Sequence, residues 1–366
     1  MKAISRIRNY IRFRINRWRY DFQNKVDGNK LNFRQINSIV ISKIDGKLGD
    51  TEVISPFIAA LKRSCPHLQI TVLTSATLAP LYRDFMKVAV IVLPKRPTRK
   101  QLQQVSKQVG KCDLFLTLEE YFRFQDFYLL YLLKPYFVAG VCPEVKAINI
   151  RLDYKNCHIT EYFSALLSLG GIQDPCLEYL PFVSKEHLSK VKSFCQQHQI
   201  MLCPWGASKH KHLSDETIVN VAKAILGSTS LPLALMVPPD GAYLHQLLKD
   251  RVDDPSRLVK IPKNLHLLDL PAICAQSCAV ISVDTAYVHL ACAAKIPLFA
   301  IYNGNNPRLQ TMWSPLPNKK DAVIFSVPNR MIDDLVFADI AKSLDSFFNA
   351  LKEAGFPVLT SLIISK

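Results

Sequence analysis

Three short segments hold the side chains able to do chemistry. The first is Lys43-Ile44-Asp45-Gly46-Lys47-Leu48-Gly49-Asp50-Thr51. A carboxylate in such a loop can take the proton of an attacking hydroxyl once the substrate is positioned. Asp50 follows Gly49 at the start of a helix, so it also suits the plainer role of N-cap. Asp45 competes with it as base. The second segment, residues 204–212, offers Ser208, Lys209, His210, Lys211 and His212 in five consecutive positions. Hydroxyl and ammonium donors ahead of a helix suit a phosphate, and a merely solvated basic loop is the alternative. The third is Asp284-Thr285-Ala286-Tyr287-Val288-His289. Backbone N–H groups of Thr285 to Tyr287 at a helix start can take a phosphate. The Asp284 carboxylate would repel a diphosphate, so it suits either capping or the neutral hydroxyls of a sugar. His289, one turn in, reads on its own as a satisfied structural histidine.

Each segment follows an apolar run and precedes a helical pattern. The runs at 36–42, 200–203 and 279–283 read as buried strands. Further strands fall at 69–74, 88–93 and 113–117, then at 231–237, 257–261, 298–301 and 322–326. Helices alternate with them over 52–63, 78–85, 99–109, 160–169, 185–198, 215–227, 241–250, 267–277 and 333–353. Strand–helix alternation predicts an α/β protein with parallel, doubly wound sheets. Ligands of such sheets bind at the carboxyl ends of strands, where all three segments lie. A polar connection with Gly170-Gly171, Pro175 and Pro181 sets the boundary. The expected organisation is an extension over 1–34, one α/β domain over 35–178 and a second over 179–366, with a cleft between the two. Neither G-x-G-x-x-G nor a phosphate loop of the G-x-x-x-x-G-K-[ST] type is present.

The charge is uneven. Lysine and arginine number 46 against 30 acids, for a net +16. Residues 1–25 carry eight of the cations (Lys2, Arg6, Arg8, Arg12, Arg14, Arg17, Arg19, Lys25) against Asp21 alone. In the same stretch Ile4, Ile7, Ile11, Ile15, Trp18 and Phe22 recur at three- and four-residue spacing. A basic amphipathic helix with Trp and Phe suits an anionic membrane surface; packing on its own domain and a nucleic-acid arm are the alternatives. Residues 23–34 read as a linker. Residues 119–137 are rich in Tyr and Phe and read as a packed helix, with an acceptor-pocket wall as the second reading. No run reaches a membrane span, and no secretory signal is evident. The ten cysteines form no C-x-x-C pair. Cys65, Cys203, Cys274 and Cys292 read as buried thiols of a reducing compartment. Cys274 and Cys278, one helical turn apart, are two core thiols before they are a metal site.

Taken together, the loops resemble a known family. Leu48-Gly49-Asp50 ahead of Ser55-Pro56-Phe57 is similar to a G-D-x-x-x-x-x-P motif. Trp205-Gly206-Ala207-Ser208 with Lys211-His212-Leu213 is similar to P-G-A-x…K-x-W. Asp284 to Ala293 with Pro297, followed by Trp313-Ser314-Pro315, is similar to D-T/S-G-x-x-H-x-x-A-A…P. The family is glycosyltransferase family 9, the lipopolysaccharide heptosyltransferases, and the likeness spans about residues 36–355. It implies a GT-B fold of two Rossmann-like domains, an acceptor domain followed by a nucleotide-sugar domain. It implies inverting transfer of heptose from ADP-heptose to the Kdo–lipid A inner core or to a heptose on it, with no metal and no other cofactor. Asp50 would be the base, and Lys43 and Lys47 would face the acceptor. Ser208, Lys211, Asp240, Asp284, Thr285, Ala286 and His289 would hold the donor: Lys211 its diphosphate, Asp240 the ribose, Asp284 the sugar. Ala286 replaces the usual glycine and Leu213 the usual tryptophan. The implied place of action is the cytoplasmic face of the inner membrane, with no nucleic-acid partner. A relative using another nucleotide sugar, and a non-catalytic GT-B scaffold in lipopolysaccharide assembly, are the alternatives.

Overall fold

A computed structural model describes residues 2–152, 156–173, 175, 177–195, 198–262, 264–328 and 331–356, with side chains from residue 7 onward. The chain forms two compact units, Met1–Glu178 and Tyr179–Lys366.

The N-terminal unit is built on strands β1 (Ser38–Lys43), β2 (Gln69–Thr74), β3 (Ala89–Val92), β4 (Leu114–Thr117), β5 (Phe137–Gly140) and β6 (Ile150–Arg151). All are parallel, in the order β3-β2-β1-β4-β5-β6. Helices α1 (Lys2–Tyr20), α2 (Leu48–Ser64), α3 (Arg99–Val109), α4 (Phe124–Leu133) and α5 (Ile159–Leu169) cover it. The C-terminal unit repeats the plan with β7 (Gln199–Cys203), β8 (Leu233–Leu235), β9 (Leu258–Val259), β10 (Ser277–Val283), β11 (Leu298–Asn303) and β12 (Ala322–Val327). Their order, β12-β11-β10-β7-β8-β9, is the same topology read from the other edge. Its helices are α6 (Lys185–Val191), α7 (Asp215–Ser228), α8 (Tyr243–Arg251), α9 (Asp269–Ala275), α10 (Ala286–Ala293), α11 (Pro307–Met312) and α12 (Phe337–Glu353).

Strands buried on both faces are apolar without alternation, and β7 and β10 follow this rule. Ile200, Met201 and Leu202 and the run Ala279–Ile281 are at most 1% exposed. In each sheet the strand order reverses between the first and fourth strands, β1/β4 and β7/β10. That reversal opens a crevice at the carboxyl ends of the central strands. The loops after β1, β7 and β10 are the three segments singled out above, so topology alone places them where ligands bind.

The structure corrects several expectations. β5, β6 and α11 carry no sequence signal strong enough to announce them. The helix expected over 78–85 is a single π-turn, Leu81–Phe85. α6 stops at Val191, short of 198; positions 196–197 lie outside the described residues. Cys274 lies in the last turn of α9 whereas Cys278 belongs to β10, so the two share no helix face. The expected linker is packed: Leu31 is 3% exposed and Phe33 is fully buried against Phe57.

The basic helix α1 packs on its own domain through one face. Phe13 and Tyr20 are buried and pack edge-on against Phe127 and Tyr128, joining the core of the N-terminal unit. Within residues 119–137 the expected packed aromatic helix is α4, limited to Phe124–Leu133. Beyond the helix end, Asp21 accepts from the backbone N–H groups of Lys146 and Ala147. The opposite stripe, Ile7, Ile11, Ile15 and Trp18, stays in solvent. Phe22 instead packs on the core, and the side chain of Ile4 lies outside the described residues.

Candidate functional site

The C-terminal unit brings together Lys211 and Asp284, 73 positions apart. After β7 the chain turns back on itself: Gly206 N–H donates to Lys211 O at 2.8 Å, and His212 returns 2.7 Å to Gly206 O. Trp205 stacks on His212 with ring planes 5° apart and donates its indole N–H to Leu213 O. This clasp aims Lys211 at the end of β10, where its Nζ lies 2.5 Å from Asp284 Oδ2. The clasp requires glycine at 206. A Cβ there would stand 2.6 Å from Lys211 Cβ and 3.2 Å from Asp284 O.

Asp284 is not the N-cap. Thr285 caps α10, its Oγ1 accepting from Tyr287 N–H and lying 3.2 Å from Ser282 Oγ. The Asp284 carboxylate is thereby released for Lys211. Ala286 opens the helix, and the first-turn N–H groups beside the Lys211 ammonium make a site of positive potential. His289 is 4% exposed and packs edge-on against Tyr179 and Trp313. Tyr302 donates to Trp313 O at 2.7 Å and fixes that wall. Trp313, Tyr179 and Tyr302 were not singled out as site residues; they became legible only when the rings met around His289. Ser208 and Asp240 are both exposed. The first makes no side-chain cap of the following turn, and the second lies in a turn whose Gly241 abuts the Trp205 ring.

In the N-terminal unit the loop after β1 carries a compact charge cluster. α2 starts at Leu48, four residues earlier than expected, so Asp50 sits in its first turn and Lys47 occupies the cap position. Asp50 therefore does not cap; its Oδ2 accepts from Lys43 Nζ at 2.7 Å. Asp45 lies 4.0 Å from the same ammonium and 3.3 Å from Lys47 Nζ. Gly46, at φ +69°, turns the loop where a side chain would meet Ser75 Oγ. Lys43 is 5% exposed. Burial alone would strip its charge, but the Asp50 and Asp45 carboxylates prevail and hold it above the ordinary lysine range. From the loop after β4, Glu119 enters the same field. Burial and then Asp45 push it up, against Lys43, Arg123 and Lys47. Behind the cluster Tyr82 donates to Thr51 Oγ1, and burial pushes its hydroxyl up to about 12. Glu119 is a member that sequence reasoning missed, because only the β1/β4 reversal brings its loop beside Asp45.

A carboxylate seated by a buried lysine can receive a proton. A lysine beside a helix N-terminus can receive an anionic leaving group. The family model described as "Glycosyltransferase family 9 (heptosyltransferase)" matches residues 146–336, a little over half of the chain. The glycosyl transferase family 9 structure from Veillonella parvula DSM 2008 superposes with a TM-score of 0.70 at 18% identity, covering 87% of this chain and 98% of that one. The E. coli ADP-heptose lps heptosyltransferase II gives 0.66 at 16%, with 87% and 100% covered. The E. coli heptosyltransferase WaaC with ADP gives 0.60 at 15%, with 85% and 99% covered. At these identities the likeness is one of fold, the GT-B arrangement of two parallel six-stranded sheets. Comparison with curated sequences returns no match. The chain is a glycosyltransferase and belongs to glycosyltransferase family 9.

Proposed function

We propose that the protein is an inverting heptosyltransferase that moves heptose from ADP-heptose to a Kdo- or heptose-bearing inner-core acceptor of lipopolysaccharide or lipooligosaccharide. The observation that carries this reading is the Lys211–Asp284 pair, 2.5 Å apart at the N-terminus of α10. In the reading, the C-terminal unit takes the donor. The diphosphate replaces the carboxylate as the partner of Lys211 and accepts from the first N–H groups of α10. Asp284, freed of its cation, accepts from sugar hydroxyls. His289 and Trp313 wall the sugar, while Ser208 and Asp240 reach the nucleotide from the rim. The N-terminal unit takes the acceptor, with Lys43 and Lys47 near its anionic groups.

The chemistry is a single displacement. Asp50 accepts the acceptor hydroxyl proton, the oxygen attacks the anomeric carbon from the face opposite the diphosphate, and the C–O bond to ADP breaks. The configuration inverts. Charge growing on the departing diphosphate is met by Lys211 and the α10 N–H groups, so the reading calls on no metal and no further cofactor. Lys43 keeps Asp50 oriented until the hydroxyl arrives. The acceptor is lipid-linked, and the reading includes action at the cytoplasmic face of an anionic membrane. No helix among the described residues is long and apolar enough to cross one.

The test is reconstitution with ADP-heptose and Kdo–lipid A, followed by mass spectrometry of the product and phosphorus detection of ADP. A mass gain of one heptose supports the reading. Transfer only from an ADP- or GDP-linked hexose would replace the donor. Asp50→Ala transferring at the wild-type rate would remove the assigned base.

A further inference from the structure

A recess lies in the N-terminal unit beside helix α1. It has a volume of about 760 Å³ and three walls. Helix α1 provides one, the loop after β3 the second, and the loop between β4 and α4 the third. Into it project Arg8 and Arg12 from the first wall, Lys95 and Arg96 from the second and Arg123 from the third. Among the described residues that line it, none is acidic. No ion pair forms at Arg8, Arg12, Lys95 or Arg96 among the described residues. Five cations from three separate elements surround one space, and the four without an ion-pair partner among the described residues are costly to hold there unless an anion enters. The floor is rigid, because Phe13 and Phe122 are buried and Tyr121 donates to the Asn9 carbonyl.

The rim identifies the anion's carrier. At 3.6 residues per turn, Arg8 and Arg12 stand between the recess and the exposed stripe of Ile7, Ile11, Ile15 and Trp18. Those four are 50–86% exposed on one face. A soluble phosphate has no use for such a stripe. A bilayer does: apolar side chains enter the acyl boundary while neighbouring arginines meet phosphate groups. We infer that this recess is a headgroup site for an anionic bilayer phospholipid, with the stripe of α1 inserted beside it. The inference rests on the membrane part of the proposed function and adds a defined pocket to it.

The test is co-sedimentation of the full chain with vesicles of phosphatidylcholine containing a minor share of phosphatidylglycerol, against pure phosphatidylcholine. Two double variants are compared: Arg12→Gln/Arg96→Gln in the recess, and Ile11→Ser/Trp18→Ser on the stripe. Thermal melting of each by circular dichroism checks that it folds. Each arginine lost lowers partitioning about fivefold, so the recess variant falls about 25-fold on anionic vesicles. The stripe variant also falls, and inorganic pyrophosphate at matched charge competes poorly with the vesicles. If the recess variant binds anionic vesicles like wild type while the stripe variant does not, the headgroup site is refuted and membrane action stands. If wild type makes no distinction between the two vesicle types, both fail. Pyrophosphate binding by calorimetry that is lost in the recess variant, with vesicles unable to compete, would assign the site to a soluble phosphate and overturn the lipid. Preferential retention of an RNA duplex would overturn it as well.

Discussion

Replacing Lys211 by methionine separates chemistry from stability, because the structure gives the two effects very different sizes. The side chain of Lys211 is 38% exposed and that of Asp284 20%. An ion pair so open to water contributes about 0.2–1 kcal/mol. With a loss of about 1 kcal/mol shifting melting by about 2–4 °C for a unit this size, K211M should melt within a few degrees of wild type. Catalysis is another matter. If Lys211 meets the diphosphate as ADP departs, its loss removes a charged donor aimed at developing charge, which costs about 10²–10³ in kcat. The assay is steady-state ADP release at saturating acceptor, with donor affinity read by calorimetry. A partner variant decides what the lysine is for. Were its task only to neutralise Asp284, K211M/D284N would recover the lost rate, since asparagine needs no cation. A lysine acting on the diphosphate leaves the double variant as slow as K211M. Recovery in the double variant, or K211M turning over within about threefold of wild type, would refute the assignment.

Other expectations follow from particular contacts. Gly206→Ala places a Cβ 2.6 Å from Lys211 Cβ; it should displace the lysine, weaken donor binding and cost about 1–3 kcal/mol of stability by chemical denaturation. Glu52 is fully buried, neither carboxyl oxygen has a hydrogen-bond partner among the described residues, and burial raises its pKa well above the ordinary range. A raised acid contributes fully below its unfolded pKa, and the contribution is lost as pH rises through the folded value. Glu52→Gln should therefore melt higher than wild type at alkaline pH and show a flatter stability–pH curve; identical curves would show the carboxyl to be solvated. Asp269 is the opposite case. It is fully buried, and although burial alone would raise it, Lys190 at 2.5 Å, His187 at 2.7 Å and the His266 N–H hold its carboxyl below the ordinary range. That contribution is present above the unfolded pKa and is lost as pH falls through the depressed one. Asp269→Asn should cost about 2 kcal/mol at neutral pH and less in acid, measured by urea melts at several pH values.

How far the sequence carried the fold depends on what signalled each element. Buried parallel strands are continuous apolar runs, and β1, β2, β7, β10 and β11 were legible for that reason. β6 is two residues long, too short for any period to register, while β9, equally short, was legible within the run 257–261. Helix starts were misjudged at the two positions where a carboxylate looked like a cap. Asp50 and Asp284 have the right residue type and the right neighbours for capping, so local rules favoured that role. Each declined it because a lysine was a better partner than backbone N–H: Lys43 from the end of β1, seven positions before Asp50, and Lys211 from a loop 73 positions before Asp284. No window of sequence contains the second pair.

The same reasoning explains why the three loops could be named while their partners could not. A loop at the carboxyl end of a strand announces itself by polarity between apolar runs. Which loops meet is decided by strand order, and strand order reverses only between β1/β4 and β7/β10. Glu119 belongs with Asp45 because β4 lies beside β1, and Asp284 belongs with Lys211 because β10 lies beside β7. Each unit thus holds a lysine against a carboxylate at the carboxyl ends of its central strands, Lys43 and Asp50 within one loop and Lys211 and Asp284 across two. A sheet plan used twice opens one crevice per copy and leaves each copy free to specialise its pair, under the proposed function one carboxylate for a proton and one lysine for a phosphate.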